Sequence, residues 1–275
     1  METAVDRWEA ILNARARQMD AAYARLGRSS ADFWDRRARR FHSTTKDAVA
    51  KDPLFQRLQS VITTRMNVLD VGAGTGRFTL AVAPLACHVT AVEPNAAMLD
   101  YLRRDADEQN LTNIAVIQAT WQDAPENIAA DIVICSHVLY PIFAIEPFLA
   151  KLCAATRHTC YIYMRATAID ALFGDLWRHF HGDERYLPPA YIHALNVLFD
   201  MGIYANVEVV SLPVVLKYSS LDVAVDEMLE QLILSDDEKT RAELRQLLQE
   251  RLVESDGMLV PAVGEMVGAI ISVRK

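Results

Sequence analysis

Apolar and polar positions along this chain follow two periods, and the switching between them outlines the architecture. Short apolar runs at Val68–Val71, Val89–Val92, Ile114–Ile117, Ile132–Cys135 and Tyr161–Met164 read as strands buried on both faces. Between them Arg77–Leu85, Ala96–Gln109 and Pro147–Thr156 carry helical spacing. Strands and helices in strict alternation imply a parallel sheet with right-handed crossovers, the doubly wound α/β class. After Arg165 the rhythm changes. Ile169–Phe180 and Pro189–Asp200 read as helices, the second stopped at Met201-Gly202. Tyr204–Tyr218 alternates as a long strand interrupted by Pro213, and Val267–Val273 supplies the seventh strand. Before that last strand, Leu221, Val225, Met228, Leu229 and Leu232 predict one helix. Leu244, Leu247, Leu248 and Leu252 predict another, after a capping box at Ser235-x-x-Glu238. Residues 219–256 are thus expected to be a helical insertion.

Residues 1–60 precede the alternating core and read as helical. Trp8, Ile11, Leu12 and Arg15 share one helical face. A second helix is expected from Ser29 or Ser30, with Ser29-x-x-Asp32 as its capping box and Trp34, Ala38 and Phe41 on its apolar side. Asp52-Pro53 is an N-cap and first-turn pair for a third. The expected partition is an N-terminal helical segment at 1–60 and the α/β domain at 61–275.

The candidate chemistry lies at the first strand's end. Asp70-Val71-Gly72-Ala73-Gly74-Thr75-Gly76 places a carboxylate and then glycine at every second position. Glycine lets the backbone turn tightly and come close to a ligand. The following helix turns its free N–H groups to the same spot. Glu93 ends the next apolar run, 23 positions after Asp70, where an acid can accept two hydrogen bonds from a ribose diol. A dinucleotide turn needs G-x-G-x-x-G, but Arg77 stands where its last glycine belongs, and no G-K-[ST] follows.

A D-x-G-x-G-x-G turn with a downstream Glu resembles the class I S-adenosylmethionine (SAM) methyltransferases, over a core from about Asn67 to Arg165. The resemblance implies a Rossmann-like, mostly parallel seven-stranded sheet with an N-terminal helical lid. It implies SAM as cofactor and S-adenosylhomocysteine (SAH) as product. It places Asp70 near the methionine amino group, and the backbone of Gly72, Ala73 and Gly74 beside the methionine and ribose. Glu93 would hold the ribose hydroxyls, with Pro94 and Met98 flanking the adenine. Met98 serves equally as helix packing. An acid that often bonds the adenine amine is replaced by Thr120, with Asp123 as the alternative, and Trp121 either covers the adenine or fills core. Ser136 and His137 follow the fourth strand on the methyl-transfer side. His137 is the candidate general base, with Tyr140 second. Tyr23 and Trp34, on the lid, are candidate substrate contacts. No Asn/Asp-Pro-Pro-Tyr/Phe tetrapeptide follows the fourth strand, which disfavours amino methylation of nucleobases or glutamine. The general features are broadly like the quinone-biosynthesis methyltransferases. The insertion departs from the family's short hairpin, and bears on substrate access or on homodimer contacts.

Bulk properties narrow the acceptor. Residues 1–60 hold 12 Lys/Arg against 8 Asp/Glu, a net of +4, while the whole chain is −8. An acidic body disfavours nucleic acid and leaves a small anionic substrate open. No run approaches a membrane span. Four cysteines without a C-x-x-C pair fit a reduced, cytoplasmic protein. His179-x-His181 with Asp183 lacks a clear third ligand, so no metal is expected. Two rival readings share the pocket: a non-catalytic SAM-binding partner or sensor, and an aminopropyl-type transferase.

Overall fold

A computed structural model describes residues 2–28, 49–213, 216–262 and 265–275. The helix expected from Ser29, including Trp34, lies outside the described residues.

Helix α1 (Ala4–Arg25) begins at a capping box, in which Thr3 Oγ1 accepts from Asp6 N and Thr3 N donates to Asp6 Oδ2. Asp52 caps α2 (Pro53–Val61), its Oδ1 accepting from Leu54 N at 2.8 Å. The α/β core then runs β1 (Asn67–Val71), α3 (Arg77–Val82), β2 (His88–Val92), α4 (Ala96–Glu108), β3 (Ile114–Ile117), β4 (Ala130–Ser136), α5 (Ile145–Ala155) and β5 (Thr156–Arg165). There follow α6 (Gly174–His181), α7 (Tyr191–Asp200), β6 (Asn206–Pro213), α8 (Leu221–Leu232), α9 (Glu238–Gln249), β7 (Leu252–Ser255), β8 (Met258–Pro261) and β9 (Glu265–Arg274).

Seven strands form one sheet in the order β3-β2-β1-β4-β5-β9-β6. The first five are parallel, and β9 runs antiparallel between β5 and β6. Strand order reverses between β1 and β4, so ligand-sized space is expected above their carboxyl ends. On one face, Leu69, Val71, Val133, Cys135, Ile162 and Ile271 pack under α1, α5 and α7. On the other, Val68, Val89, Ile132, Ile134, Tyr161 and Ile270 pack under α2 and α3. Both faces are covered, which is why the parallel strands carry continuous apolar runs.

Several expectations need adjustment. The long strand expected at 204–218 is described as β6 (Asn206–Pro213), residues 214–215 lie outside the described residues, and Tyr218 forms an isolated bridge with Leu259. The Ile169–Phe180 helix opens as a 3-10 turn at Ile169–Phe173 before α6. The N-cap of α9 is Asp237, whose Oδ1 accepts from Thr240 N at 2.9 Å. Ser235 instead donates to Asp237 Oδ2, because the acid two residues closer to the helix outcompetes the Ser as acceptor. The second expected helix ends at Gln249, and Leu252, expected on it, instead opens a β7–β8 hairpin that begins inside the insertion. Trp177, Val225, Met228, Leu244, Leu248 and Leu252 give this region its own apolar cluster, shared with the C-terminal end of α1.

Candidate functional site

A cavity of about 450 Å³ opens at the carboxyl ends of β1, β2 and β4. Asp70, Gly72, Ala73, Gly74, Glu93, Pro94, Met98, Ser136 and His137 all line it. Arg77, Phe78, Asn95, Val138, Pro141 and Ile142 complete the wall. The structure therefore brings together every sequence-derived cofactor residue except Thr120 and Trp121.

Glu93 sits at the end of β2 and is held at both oxygens. Its Oε2 accepts from Gly74 N at 3.0 Å and its Oε1 from Asn95 N at 2.9 Å. A carboxylate offers about four lone-pair positions, so two remain for a ligand. Burial raises its pKa, and the two N–H groups oppose the rise. Asn95 also caps α4, accepting from Met98 N at 3.0 Å, so one short segment fixes the acid and starts the helix.

Asp70, on β1, is 2% exposed, and its Oδ2 accepts from Thr79 Oγ1 at 2.7 Å. Burial pushes its pKa up to about 6, the Thr79 bonds pull down, and the Glu93 charge adds a smaller upward push. An ammonium placed beside Asp70 would favour its ionised form and pull its pKa back down.

The glycine turn holds Gly72, Gly74 and Gly76 at φ of 73°, 57° and 91°, a region that non-Gly residues enter at a cost. A Cβ on Gly72 would lie 2.3 Å from Val138 Cγ2. This glycine thus makes room for the loop after β4 as well as for a ligand.

His137 follows β4 in the left-handed region, φ 59°, with its N–H donating to Tyr163 O at 2.8 Å. Its Nδ1 lies 3.0 Å from the Tyr140 hydroxyl, which accepts from Arg165 N at 2.8 Å. The hydroxyl proton then points to Nδ1, which places the imidazole proton on Nε2; this tautomer is assigned from hydrogen-bond satisfaction. Burial, with the Arg165 and Arg77 guanidiniums nearby, holds the ring well below the usual His range. The ring is neutral and its remaining polar group is a donor, an arrangement suited to orienting an acceptor atom. Tyr140, pushed up to about 12 by burial, lies behind His137 and off the cavity wall.

Other candidates lie elsewhere. Trp121 is 4% exposed in the core, with Nε1 donating to Phe148 O at 3.4 Å and the Lys151 ammonium 5.1 Å from its ring centroid. Thr120 is exposed and bonds Asp123 within its own turn. Tyr23 is 1% exposed in the cluster with Trp177 and does not reach the cavity. His179 bonds Glu243, and His181 stacks on Trp177 with Nε2 on Leu232 O. Among the described residues no group of three or more His, Cys, Asp or Glu could hold a metal.

The sequence reading passed over Asn95, although an Asn before an apolar helical run is a recognisable N-cap. Asp52 stands behind the wall residue Arg77. Asp52 Oδ2 accepts from Arg77 Nη2 at 2.5 Å; nothing local in sequence joins the two.

Comparison with known proteins agrees with this geometry. A family model described as "Methyltransferase domain" matches residues 62–238. An uncharacterised protein of Haemophilus influenzae is 27% identical over 180 residues, 63% of this chain and 64% of that protein. A probable S-adenosylmethionine-dependent methyltransferase, CRG1, of Saccharomyces cerevisiae is 32% identical over 82 residues, 28% of each chain. The matches thus span less than two thirds of either curated relative. Among solved structures, the YcgJ protein of Bacillus subtilis superposes with a TM-score of 0.55 at 15% identity, covering 81% of this chain and 97% of that one. A putative methyltransferase of Bacillus halodurans does so with a TM-score of 0.53 at 13% identity, covering 82% and 98%. These two share the fold. With a family model over more than half its length and the acid-and-glycine cavity in place, the chain belongs to the class I SAM-dependent methyltransferase family.

Proposed function

We propose that this protein transfers the methyl group of SAM to a small-molecule acceptor. The observation that carries the reading is the placement of Glu93 and Asp70 at the ends of neighbouring strands, both on the wall of one cavity. Glu93, its oxygens fixed by Gly74 and Asn95, would hold the ribose hydroxyls. Asp70 would face the methionine ammonium, with Pro94 and Met98 beside the adenine. SAM, when bound, supplies an electrophilic methyl carbon whose bond to sulfur breaks, leaving its electron pair there, as the acceptor's lone pair forms the new bond. The chain's residues then need only orient and exclude water. His137, neutral and protonated at Nε2, would donate to the acceptor and fix its approach. Val138, Pro141 and Ile142 supply an apolar wall.

The acidic body supports a small acceptor over nucleic acid. Aminopropyl transfer to a polyamine would favour a wall rich in carboxylates, whereas this one also presents Arg77. A non-catalytic SAM sensor would bind the same ligand, and product formation separates the two. Residues 1–60 fit the lid role in one respect, because Trp8 of α1 bonds the cavity-wall residue Ile142. Among the described residues no helix is long and apolar enough to cross a membrane, and a cytoplasmic setting fits the free cysteines.

Calorimetry with SAH, followed by incubation of the protein with methyl-labelled SAM and a metabolite extract, tests the proposal. Binding and a labelled small product are expected. Absence of SAH binding overturns the reading, and binding without product favours the sensor.

A further inference from the structure

The layer behind His137 holds more positive charge than its described neighbours neutralise. Tyr161, Tyr163 and Arg165 alternate along β5 and share one face. That face packs toward the cap of α2 and the start of α3, where Asp52 and Arg77 stand. Asp52 is 4% exposed and already committed: Oδ1 caps α2 and Oδ2 pairs with Arg77. It neutralises one guanidinium of the two.

Arg165 is the other. The one hydrogen bond that its guanidinium makes among the described residues is to the thioether of Met266, at 3.7 Å. A thioether is a weak acceptor and carries no charge, so it does not compensate a half-buried cation. Two further donors beside it lack partners. The Tyr163 hydroxyl belongs to a fully buried side chain and has no hydrogen-bond partner among the described residues, and the same holds for the buried Arg77 Nε. Buried donors without a protein partner are satisfied by an ordered water, an ion or a ligand. The Tyr163 ring lies 4.8 Å from that of His137, which lines the cavity, as does Arg77.

The position in the sheet separates this cluster from the cofactor acids. Glu93 ends β2 and Asp70 lies on β1, whereas Tyr163 and Arg165 lie on β5, two strands beyond β1 in the order β2-β1-β4-β5. Adjacent strands are about 4.8 Å apart, so the backbone that carries Arg165 stands roughly 10 Å from β1, across His137. One surplus positive charge, a planar fork of donors and a neighbouring hydroxyl together match a singly charged planar anion.

We propose that the methyl acceptor carries a carboxylate, held by the Arg165 guanidinium and the Tyr163 hydroxyl beside the Arg77–Asp52 pair. This rests on the methyl-transfer reading and deepens it by naming the acceptor's chemical class. The carboxylate is a handle: once held there, the acceptor's nucleophilic atom lies toward His137 and the methyl carbon.

The test uses SAH-saturated protein and calorimetric titration with benzoate, phenylacetate and succinate, each against its amide. At least one acid is expected to bind about tenfold tighter than its amide, as the loss of a charge-assisted pair requires. R165Q should abolish that preference. Y163F should weaken acid binding severalfold while leaving the melting temperature unchanged or higher, because it deletes an unpaired buried hydroxyl. Equal binding of acids and amides overturns the proposal, as does a folded R165Q that keeps the preference. If R165Q does not fold, by circular dichroism, a Y163F protein with intact acid preference overturns it instead. SAH and methylthioadenosine, titrated into R165Q and wild type, separate the two sources of a carboxylate. Weakening of SAH alone would assign Arg165 to the cofactor and overturn the proposal. Loss of SAH binding by the wild type would defeat the methyl-transfer reading itself, whereas SAH binding without acid preference defeats only this inference.

Discussion

The Trp8 indole donates to the Ile142 carbonyl at 2.7 Å, across 134 positions of sequence. Trp8 is fully buried between α1 and the core, and Ile142 lines the cavity. The N-terminal helix therefore fixes one wall of the site. W8F keeps most of the packing and removes the donor. It should cost about 1–3 kcal/mol by leaving a partly buried carbonyl without its donor, raise the acceptor KM, and leave the SAH Kd nearly unchanged. Denaturant melts and steady-state kinetics measure all three.

E93Q tests the ribose clamp. Both carboxylate oxygens accept backbone N–H groups, and an amide must turn its NH2 toward one of them. Loss of a charged acceptor should weaken SAH binding by about 1.5–3 kcal/mol for each lost bond, read by calorimetry. A Kd within a factor of about two of wild type would show that Glu93 does not touch the ribose.

Asp70 sets a pH dependence. Its folded pKa is about 6 against an ordinary 3.8. The folded state binds the proton more tightly, so the contribution to stability is present at low pH and falls as pH rises between about 4 and 6, by on the order of 3 kcal/mol. D70N should flatten that part of the stability curve. An ammonium ligand prefers the ionised acid, so wild-type SAH affinity should rise as pH passes about 6, while D70N should show little change. Calorimetry across this range in both proteins provides the check.

G72A combines two penalties that can be separated. Its positive φ costs about 1–2 kcal/mol for a residue with a side chain, and collision with Val138 adds about 1–3 kcal/mol. G72A/V138A should recover the collision part and leave the backbone part, giving a favourable coupling in a double-mutant cycle.

The core strands were legible because burial on both faces writes each as an unbroken apolar run; Ile132–Cys135 is buried throughout inside β4. The cofactor wall was legible because Asp70, the glycines and Glu93 stand at strand ends, where local pattern dictates position. The chemistry on β5 was not. Arg165 ends a strand as an ordinary polar residue, and its meaning depends on Asp52, Arg77 and Tyr163, which only the fold assembles. Trp121 reads in sequence as either an adenine cover or core filling, and its indole N–H finds Phe148 O in the core. The β7–β8 hairpin escaped detection because Met258–Pro261 lacks the alternation that marks a half-buried strand.

Strand β9 enters the sheet between β5 and β6, pairing Arg165 with Gly268 across about a hundred residues. The parallel half can form from near-neighbour units, but β5 keeps an open, hydrogen-bond-hungry border until β9 arrives. Long-range insertion of this kind is slow to find and leaves a sticky intermediate in the meantime. Recombinant yield of this protein should thus respond more to cooler synthesis or chaperone supply than to changes on its surface.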